Sequence, residues 1–411
     1  SRTSTGMTVV TEPVPGVRSV AIGCWVDTGS RDERPNEAGA AHFLEHLLFK
    51  GSDRLSARDI SETFEAIGAQ SNAFTSKEYT CFWARMLDSE LDTGLDLLAE
   101  MLQRPAFRTD EIDSERRVVI EEINMNEDDP SDVAMEAFMR TIFQGHPLGL
   151  PVLGTRDSIG AMSRDDIHGY WRRRYGSGTV AVTVAGNTEH QRVVDLVEEL
   201  FDSWSAHDGD HDLAPPGIEA RVNVVRRDTE QLHLVYGGES VDRSDESRLP
   251  DGVMHHILGG GMSSRLFQKI REERGLAYAV HSFAMRFAET GAWGVYVGTT
   301  PATAHTVMEI LTEELQRLVS DGVTEEELDR AKGHMRGALA LAMEDTNTRM
   351  IRLGRNQIFG LPHLTLDERL ARIEGITRSD LAESAARTLQ GPRVMGAVGP
   401  FENREFEGYL T

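Results

Sequence analysis

The chain contains very little cysteine and no long apolar segment. Its two cysteines, Cys24 and Cys81, are the only ones among 411 residues, and both lie in strand-like stretches. A secreted scaffold held together by disulfides is therefore excluded, and we expect both thiols to be reduced and buried, as in a cytoplasmic protein. No apolar run approaches the roughly 18 residues that a membrane-spanning helix needs, so we expect no membrane span.

Positive charge is also scarce. The chain has 43 Lys and Arg against 67 Asp and Glu, which gives a formal net charge of −24. A surface this acidic repels phosphate groups, so we expect neither nucleic acid nor an anionic membrane as a partner. The first residues lack a basic segment followed by an apolar one, so the sequence predicts no secretion signal. Together these features favour a cytoplasmic location.

The length and composition predict two globular domains. Apolar residues make up 39% and charged residues 27% of the 411 positions, which is typical of a packed protein too long for one ordinary core. Residues 205–217 (SAHDGDHDLAPPG) are polar, rich in Asp and Pro, and have no apolar periodicity. We therefore predict a first domain at 1–204, a linker at 205–217 and a second domain at 218–411.

The second half of the sequence repeats the first. The segment LDTGLDLLAEMLQ followed by RTDEIDSERRVVIEEI is similar to AHTVMEILTEELQ followed by VTEEELDRAKGHMRGAL, and Ile112 corresponds to Leu328, 216 positions later. Strand-like and helical stretches mix without regular alternation. The sequence thus predicts an α+β fold of two homologous domains, each a mainly antiparallel sheet packed with helices.

One stretch, Asn36 to Gly51 (NEAGAAHFLEHLLFKG), carries the strongest chemical signal. His42, Glu45 and His46 form the order H-x-x-E-H and share one face of a helix. Asn36 is a plausible N-cap and Gly51 a plausible end of this helix. Two imidazoles one turn apart with a carboxylate beside them are typical of the inverted zinc peptidases, although a surface helix that happens to carry two histidines has the same pattern.

The segment HFLEHLLFKG resembles the zinc helix of the pitrilysin and insulinase type of inverted zinc peptidases, particularly the branch that contains mitochondrial processing peptidase. In that family the third ligand is a helical glutamate about 76 residues further on, and in this chain the segment RRVVIEEINMNE places Glu122 at that distance from His46 (122 − 46 = 76). The resemblance implies that His42, His46 and Glu122 hold one zinc ion per chain. It also implies that Glu115, seven residues before Glu122, accepts an imidazole N–H, and Glu45 lies on the face where a general base is needed.

Two further segments resemble substrate-binding parts of the same family. GAQSNAFTSKEYT, at 68–80, is similar to its exposed edge strand, which implies that Asn72, Ala73 and Phe74 contact the substrate backbone. Phe74 could equally be a core residue. Phe49 matches a position that lines the pocket beside the zinc.

In the second half, the segment at 259–280 (GGGMSSRLFQKIREERGLAYAV) resembles the distal part of the active site. Arg271 and Tyr278 match an arginine and a tyrosine that can polarise the scissile carbonyl and stabilise an oxyanion. The alternative for Arg271 is an ion pair with a neighbouring glutamate in a charged helix.

The expected function is that of a zinc-dependent endopeptidase acting on peptides or unfolded polypeptide segments. Family members enclose the substrate in a clamshell of four domains, so a two-domain chain forms half of such a chamber and implies a dimer. The zinc motif and the Arg271 and Tyr278 pair occur in one chain, which favours a homodimer. Two alternatives remain: a non-catalytic scaffold like the respiratory-complex core proteins, and the active subunit of a heterodimeric processing peptidase.

Overall fold

The computed structural model describes residues 1–205, 209, 211 and 214–410, which fold into two compact units. Each unit is assembled from three segments of the chain. Unit 1 comprises Ser1–Asn124, Leu150–Asp212 and Leu341–His363, and unit 2 comprises Met125–Gly149, Leu213–Ala340 and Leu364–Thr411.

The elements of the first half of the chain alternate irregularly between strand and helix. In chain order they are β1 (Thr8–Pro13), β2 (Ser19–Val26), α1 (Ala40–Leu48), α2 (Ala57–Ala66), β3 (Gln70–Thr75), β4 (Thr80–Leu87), α3 (Leu91–Gln103), α4 (Thr109–Asp128), α5 (Pro130–Ile142), α6 (Arg156–Ala161), α7 (Arg164–Arg174), β5 (Val180–Gly186) and α8 (His190–Leu200).

The five strands form the sheet of unit 1 in the order β1-β5-β2-β4-β3. The β1–β5 pair is parallel and the other three pairs are antiparallel. The apolar face of α1 is buried in the core of this unit, with Phe43 and Leu44 fully covered and Leu47 3% exposed. Because β3 pairs with β4 alone, it is an edge strand of the sheet.

The second half follows the same plan. Its elements are β6 (Arg221–Arg226), β7 (Leu232–Ser240), α9 (Arg248–Gly259), β8 (Ala277–Arg286), β9 (Gly291–Thr299), α10 (Ala304–Ser320), α11 (Glu325–Ala342), α12 (Thr346–Ile358), α13 (Leu366–Glu374), α14 (Arg378–Thr388) and β10 (Arg393–Gly399). The sheet of unit 2 has the order β6-β10-β7-β9-β8, again with one parallel pair, β6–β10. The matching strand orders confirm the predicted α+β fold of two homologous halves.

The two compact units differ from the predicted contiguous domains, because one helix from each half of the chain packs in the unit formed mainly by the other half. Helix α5 packs against β10, β7 and β6, while α12 packs against β2, β5 and β1. The bounds of α12 are those of α5 moved by 216 positions (130 to 346, and 142 to 358), the spacing of the sequence repeat. A Cβ on Gly396 of β10 would lie 2.1 Å from the backbone nitrogen of Phe138, so glycine is what allows α5 to lie this close to the sheet.

The predicted boundaries at 1–204 and 218–411 therefore require a correction at residues 125–149 and 341–363, which belong to the opposite units. The physical reason is that the apolar face of α5, with Phe138 fully buried, is covered by the second sheet rather than the first. Of the predicted linker, residues 206–208, 210 and 212–213 lie outside the described residues.

The structure agrees with the expectation for the two cysteines. Cys24 and Cys81 are both free and fully buried. Within the described ranges, none of the helices combines the length and the apolar character that crossing a membrane requires.

Candidate metal centre

The helix that carries the H-x-x-E-H motif is fixed at its start by the backbone of Gly39 and by an acidic side chain. Gly39 adopts a left-handed conformation with φ of 90°, which a residue with a side chain adopts only with strain. The carboxyl group of Glu33 accepts hydrogen bonds from the backbone N–H groups of Gly39 and Ala41, each at 2.8 Å. Burial of Glu33 raises the pKa of its carboxyl to about 8.

The predicted N-cap, Asn36, is wrong. Asn36 lies in a short 3₁₀ turn, Pro35–Glu37, and α1 begins only at Ala40. Glu33 satisfies the free N–H groups of the helix from outside it, so no side chain is required at the N-cap position itself.

Three nitrogen and oxygen donors meet at one point beside α1. His42 Nε2 and His46 Nε2 are 3.2 Å apart, and Glu122 Oε2 of α4 lies 3.5 Å from the first and 3.4 Å from the second. One turn of α1 separates the two histidines, and Glu122 faces them from α4, a helix whose Val119 and Ile123 are buried in the same core. Throughout the part of the chain that the structure describes, no other group of three His, Cys, Asp or Glu side chains converges in this way.

The spacing of these donors fits a zinc ion. Two ligands of a tetrahedral ion held at about 2.0–2.1 Å lie about 3.3–3.4 Å from each other, close to the three observed separations. Two imidazoles and one carboxylate are also a common donor set for zinc in metallopeptidases. His42, His46 and Glu122 could therefore hold one zinc ion and leave one position open.

The ring of His46 is oriented by a carboxylate behind it. Glu115 Oε1 lies 2.8 Å from His46 Nδ1, and its other oxygen forms an ion pair at 2.5 Å with Lys50. An N–H on Nδ1 leaves Nε2 as a free lone pair, which is the form that binds a metal. Although burial opposes the effect, these hydrogen bonds from His46 and Lys50 hold the pKa of Glu115 below its ordinary value.

The two histidines have different electrostatic environments. Burial, and then the neighbouring His46, lower the pKa of His42 to about 4, so its imidazole is neutral at physiological pH. Burial also acts to lower the pKa of His46, but the hydrogen bond to Glu115 and the nearby Glu122 raise it overall. The Nδ1 atom of His42 is buried, and nothing in the described ranges forms a hydrogen bond with it.

Glu45 lies beside the three donors and is held by the edge strand. Thr75, the last residue of β3, donates a hydrogen bond of 2.5 Å from its Oγ1 to Glu45 Oε2. Burial raises the pKa of Glu45, an effect that the hydrogen bond from Thr75 and the nearby His46 partly offset. Its carboxylate is thus a more basic group than an exposed glutamate would be.

The other substrate-contact candidates of unit 1 lie on α1 and β3. Phe49, the C-cap residue of α1, is half-buried with its ring centroid 6.1 Å from that of Phe82. On β3, Asn72 is exposed and Ala73 is buried. The ring centroid of Phe74 lies 5.7 Å from that of Trp25, so Phe74 is in part a packing residue.

Arg271 and Tyr278 belong to unit 2, where they form a pair. The guanidinium carbon of Arg271 lies 4.4 Å from the ring centroid of Tyr278, and Arg271 Nη1 donates to the Tyr278 backbone oxygen at 3.0 Å. Tyr278 is 78% exposed. Arg271 Nε also lies 3.7 Å from Glu272 Oε1. An ion pair of this kind with a neighbouring glutamate was the alternative that the sequence suggested for Arg271.

Three residues that contribute to the site were missed in the sequence: Glu33, Lys50 and Thr75. The position of Lys50 could have indicated its role. Lys50 lies one helical turn after His46, so its ammonium group can reach Glu115, the carboxylate that contacts His46. Thr75 had a weaker signal, as the last residue of the candidate substrate strand. Glu33 had none, since its partners are backbone groups.

The fold and this donor set define a duplicated α+β protein with an inverted zinc-peptidase helix in its first half. Residues 8–156 match the family described as insulinase (peptidase family M16), and residues 161–335 match the family described as peptidase M16 inactive domain. The chain belongs to peptidase family M16, the insulinase family, which confirms the resemblance seen in the zinc helix.

Relatives and solved structures agree with this membership. The chain is 41% identical to an uncharacterized zinc protease of Streptomyces coelicolor, over 97% of this chain and 89% of that protein. It is 39% identical to an uncharacterized zinc protease of Bacillus subtilis, over 94% and 96% of the two chains. The crystal structure of a peptidase M16 inactive domain from Pseudomonas fluorescens has the same fold, with a TM-score of 0.92 at 19% identity over 98% of both chains.

Proposed function

We propose that this protein is a zinc-dependent endopeptidase that cleaves peptides or unfolded polypeptide segments. The proposal rests above all on the convergence of His42 Nε2, His46 Nε2 and Glu122 Oε2 within 3.2–3.5 Å of one another. These residues would hold one zinc ion per chain. When bound, the ion would supply a Lewis acid that acidifies water and polarises a carbonyl.

Glu45 is the general base of this proposal. Its carboxylate lies on the metal-facing side of α1, and burial makes it more basic than an exposed glutamate. It takes a proton from the attacking water and can return it to the leaving amine. Glu115 assists by orienting the ring of His46 through the 2.8 Å contact with Nδ1.

The free edge of β3 is the proposed docking site for the substrate backbone. An extended peptide can add to an unpaired strand through main-chain hydrogen bonds, which read conformation rather than sequence. Asn72, Ala73 and Phe74 would flank this peptide, and Phe49 would line the adjacent pocket. In unit 2, Arg271 and Tyr278 would bind the scissile carbonyl and stabilise its developing negative charge.

The proposed assembly is a homodimer that encloses the substrate, with one zinc site in each chain. It is supported by the presence of the zinc motif and of Arg271 and Tyr278 in the same polypeptide. Pairing with a different subunit, as in a processing peptidase, is the alternative assembly. A cytoplasmic location is proposed because both cysteines are free and buried.

A second candidate function is that of a non-catalytic scaffold. It is favoured by the match of residues 161–335 to a family described as inactive. The three donors lie outside that range, within the residues that match the insulinase family. This position favours the peptidase over the scaffold.

The metal content and the peptidase activity of the purified protein test the proposal together. About one zinc per chain is expected, together with cleavage of an unfolded polypeptide that stops on removal of the ion by a chelator and returns on addition of zinc. A protein that binds no zinc at neutral pH would contradict the proposal. Zinc binding without cleavage of any unfolded substrate would favour the scaffold.

A further inference from the structure

Unit 2 contains a cavity of about 200 Å³ that none of the proposed peptidase residues lines. It lies between the C-terminal part of α10, the end of α14 and the first residue of β10. Its volume suits a small organic molecule, since drug-sized ligands occupy pockets of about 300–1,000 Å³. The lining combines aliphatic and polar side chains, including Leu315, Val319, Leu389, Thr312, Tyr236 and Arg393.

Arg393 brings a positive charge to this cavity without a matching negative one. Its guanidinium donates to the backbone oxygens of Leu389 and Gly391, and its central carbon lies 5.1 Å from the ring centroid of Trp293. All these partners are uncharged. In the described parts of the chain, no carboxylate forms an ion pair with Arg393. Burial lowers the pKa of its guanidinium, and the hydroxyl of Tyr236, a further neutral partner, acts in the opposite direction. A half-buried cation of this kind gains from an anion.

The fold itself does not require an arginine here. In unit 1, Ala181 of β5 pairs with the first residue of β1, and in unit 2, Val394 of β10 pairs with the first residue of β6. The residues just before them, Val180 and Arg393, are therefore equivalent. A valine fills this position in unit 1, where it is 3% exposed.

Contacts with two carbonyl groups at the end of α14 give Arg393 one structural role, that of a helix C-cap. That role uses hydrogen-bond donors but leaves the charge unbalanced. The capping role also does not explain why an open cavity lies beside Arg393, lined by the aliphatic side chains of Leu315, Val319 and Leu389.

We propose that this cavity binds a small carboxylate with a short branched aliphatic tail. The carboxylate would pair with Arg393, and the tail would contact Leu315, Val319 and Leu389. Such a group occurs in free short-chain acids and at the C-terminus of a peptide that ends in an aliphatic residue. The inference is independent of the proposed peptidase, because none of the residues that line the cavity is among those proposed to bind zinc, transfer protons or contact the substrate.

Calorimetric titration of the full chain with four defined probes tests the proposal. Isovalerate is expected to bind saturably with a Kd of about 1 mM or tighter. Isovaleramide, which has the same shape without the charge, and acetate, which has the charge without the tail, are each expected to bind at least about tenfold more weakly. N-acetyl-leucine distinguishes the two sources: tighter binding than isovalerate points to a peptide C-terminus, and weaker binding to a free acid.

Three variants assign the binding to the cavity. Arg393→Met is expected to weaken isovalerate binding about 10- to 100-fold, because it removes the charged partner. Gln316→Trp places a large side chain at the exposed rim and should also abolish binding without touching the helix cap. Arg387→Met, on α14, removes an exposed arginine that pairs with Asp245 and should leave binding unchanged.

Specific outcomes would overturn the inference. One is the absence of saturable isovalerate binding to the wild-type chain. Another is equal binding of isovalerate and acetate, which would remove any role for the aliphatic lining. If Arg393→Met fails to fold, Gln316→Trp decides the matter, since undiminished binding in that variant would place the ligand elsewhere.

Discussion

Glu122 and Glu121 are adjacent in α4, yet only one of them faces the histidines. Glu122 Oε2 lies within 3.5 Å of both Nε2 atoms, whereas Glu121 is exposed and accepts a hydrogen bond from Asn124. About 100° of helical rotation separates the two side chains, so a metal ion held by the histidines is within reach of one carboxylate and not the other. The same substitution, glutamate to glutamine, can therefore be made at both positions, and the change at Glu121 serves as the control for the assignment of Glu122 as a ligand.

Glu122→Gln is expected to lower zinc affinity by about 100-fold or more, because the amide is a poorer ligand and the negative charge is lost. His46→Ala should have the same effect. Glu121→Gln should retain about one zinc per chain. Competition with a chromophoric chelator measures all three variants, and full zinc occupancy in Glu122→Gln would remove Glu122 from the ligand set.

Glu45→Gln separates the base from the ligands. If Glu45 transfers protons and does not bind the metal, the variant keeps its zinc and still binds peptide, while kcat falls by about 10² or more. Zinc analysis combined with kinetics under saturating substrate checks both parts. Loss of the metal in this variant would show that Glu45 is a ligand.

At the scale of the element, one contact links the edge strand to the helix of the zinc motif. Thr75 ends β3 and donates its hydroxyl hydrogen to Glu45 Oε2 at 2.5 Å. The strand proposed to bind the substrate backbone therefore also holds the proposed base. Glu45 would be positioned less accurately if this hydroxyl were absent.

Thr75→Val keeps the shape of the side chain but removes the donor, and we expect kcat to fall about tenfold with little change in KM or in zinc content. Thr75→Ser restores the hydroxyl and should recover most of the rate. A larger effect on KM than on kcat would assign Thr75 to substrate binding, and equal rates in the valine and serine variants would show that the hydrogen bond has no catalytic role.

The secondary structure around the site could be predicted from the sequence because its signals are local. The apolar stripe of α1 follows from residue periodicity, whereas the edge strand at 70–75 follows from the resemblance of residues 68–80 to the edge strand of the family. The start of α1 could not, since Glu33 caps it through backbone groups of Gly39 and Ala41 that carry no sequence pattern. The Lys50–Glu115 pair also depends on how α1 and α4 pack, which spacing alone does not specify.

At the scale of the whole molecule, the duplication was visible in the sequence but the exchange of helices was not. Helix α5 has an ordinary apolar face, with Ala134 and Phe138 fully buried, and such a face fits either sheet by hydrophobicity alone. What selects the sheet of unit 2 is shape, since Gly396 leaves room for the backbone of the helix at Phe138. A contact between residues more than 250 positions apart has no local signature.

The proposed homodimer makes a prediction about mixtures of inactive variants. Glu45→Gln and Arg271→Ala are each expected to be inactive, and equal amounts can be combined under conditions of subunit exchange. If Arg271 serves the zinc site of the partner subunit, each mixed dimer has one site with both defects and one with none. Because half of the dimers are mixed at equilibrium, activity should return to about a quarter of the wild-type value.

If Arg271 instead serves the zinc site of its own chain, every site in the mixture keeps one defect and activity stays at the level of the separate variants. Mixing Glu45→Gln with Glu122→Gln is the matched control, since both changes affect the zinc site of their own chain and no arrangement can restore it. Size-exclusion chromatography with mass measurement tests the assembly that both results presuppose. A chain that cleaves peptides as a monomer at micromolar concentration would contradict the dimeric chamber, while leaving the assignment of His42, His46 and Glu122 intact.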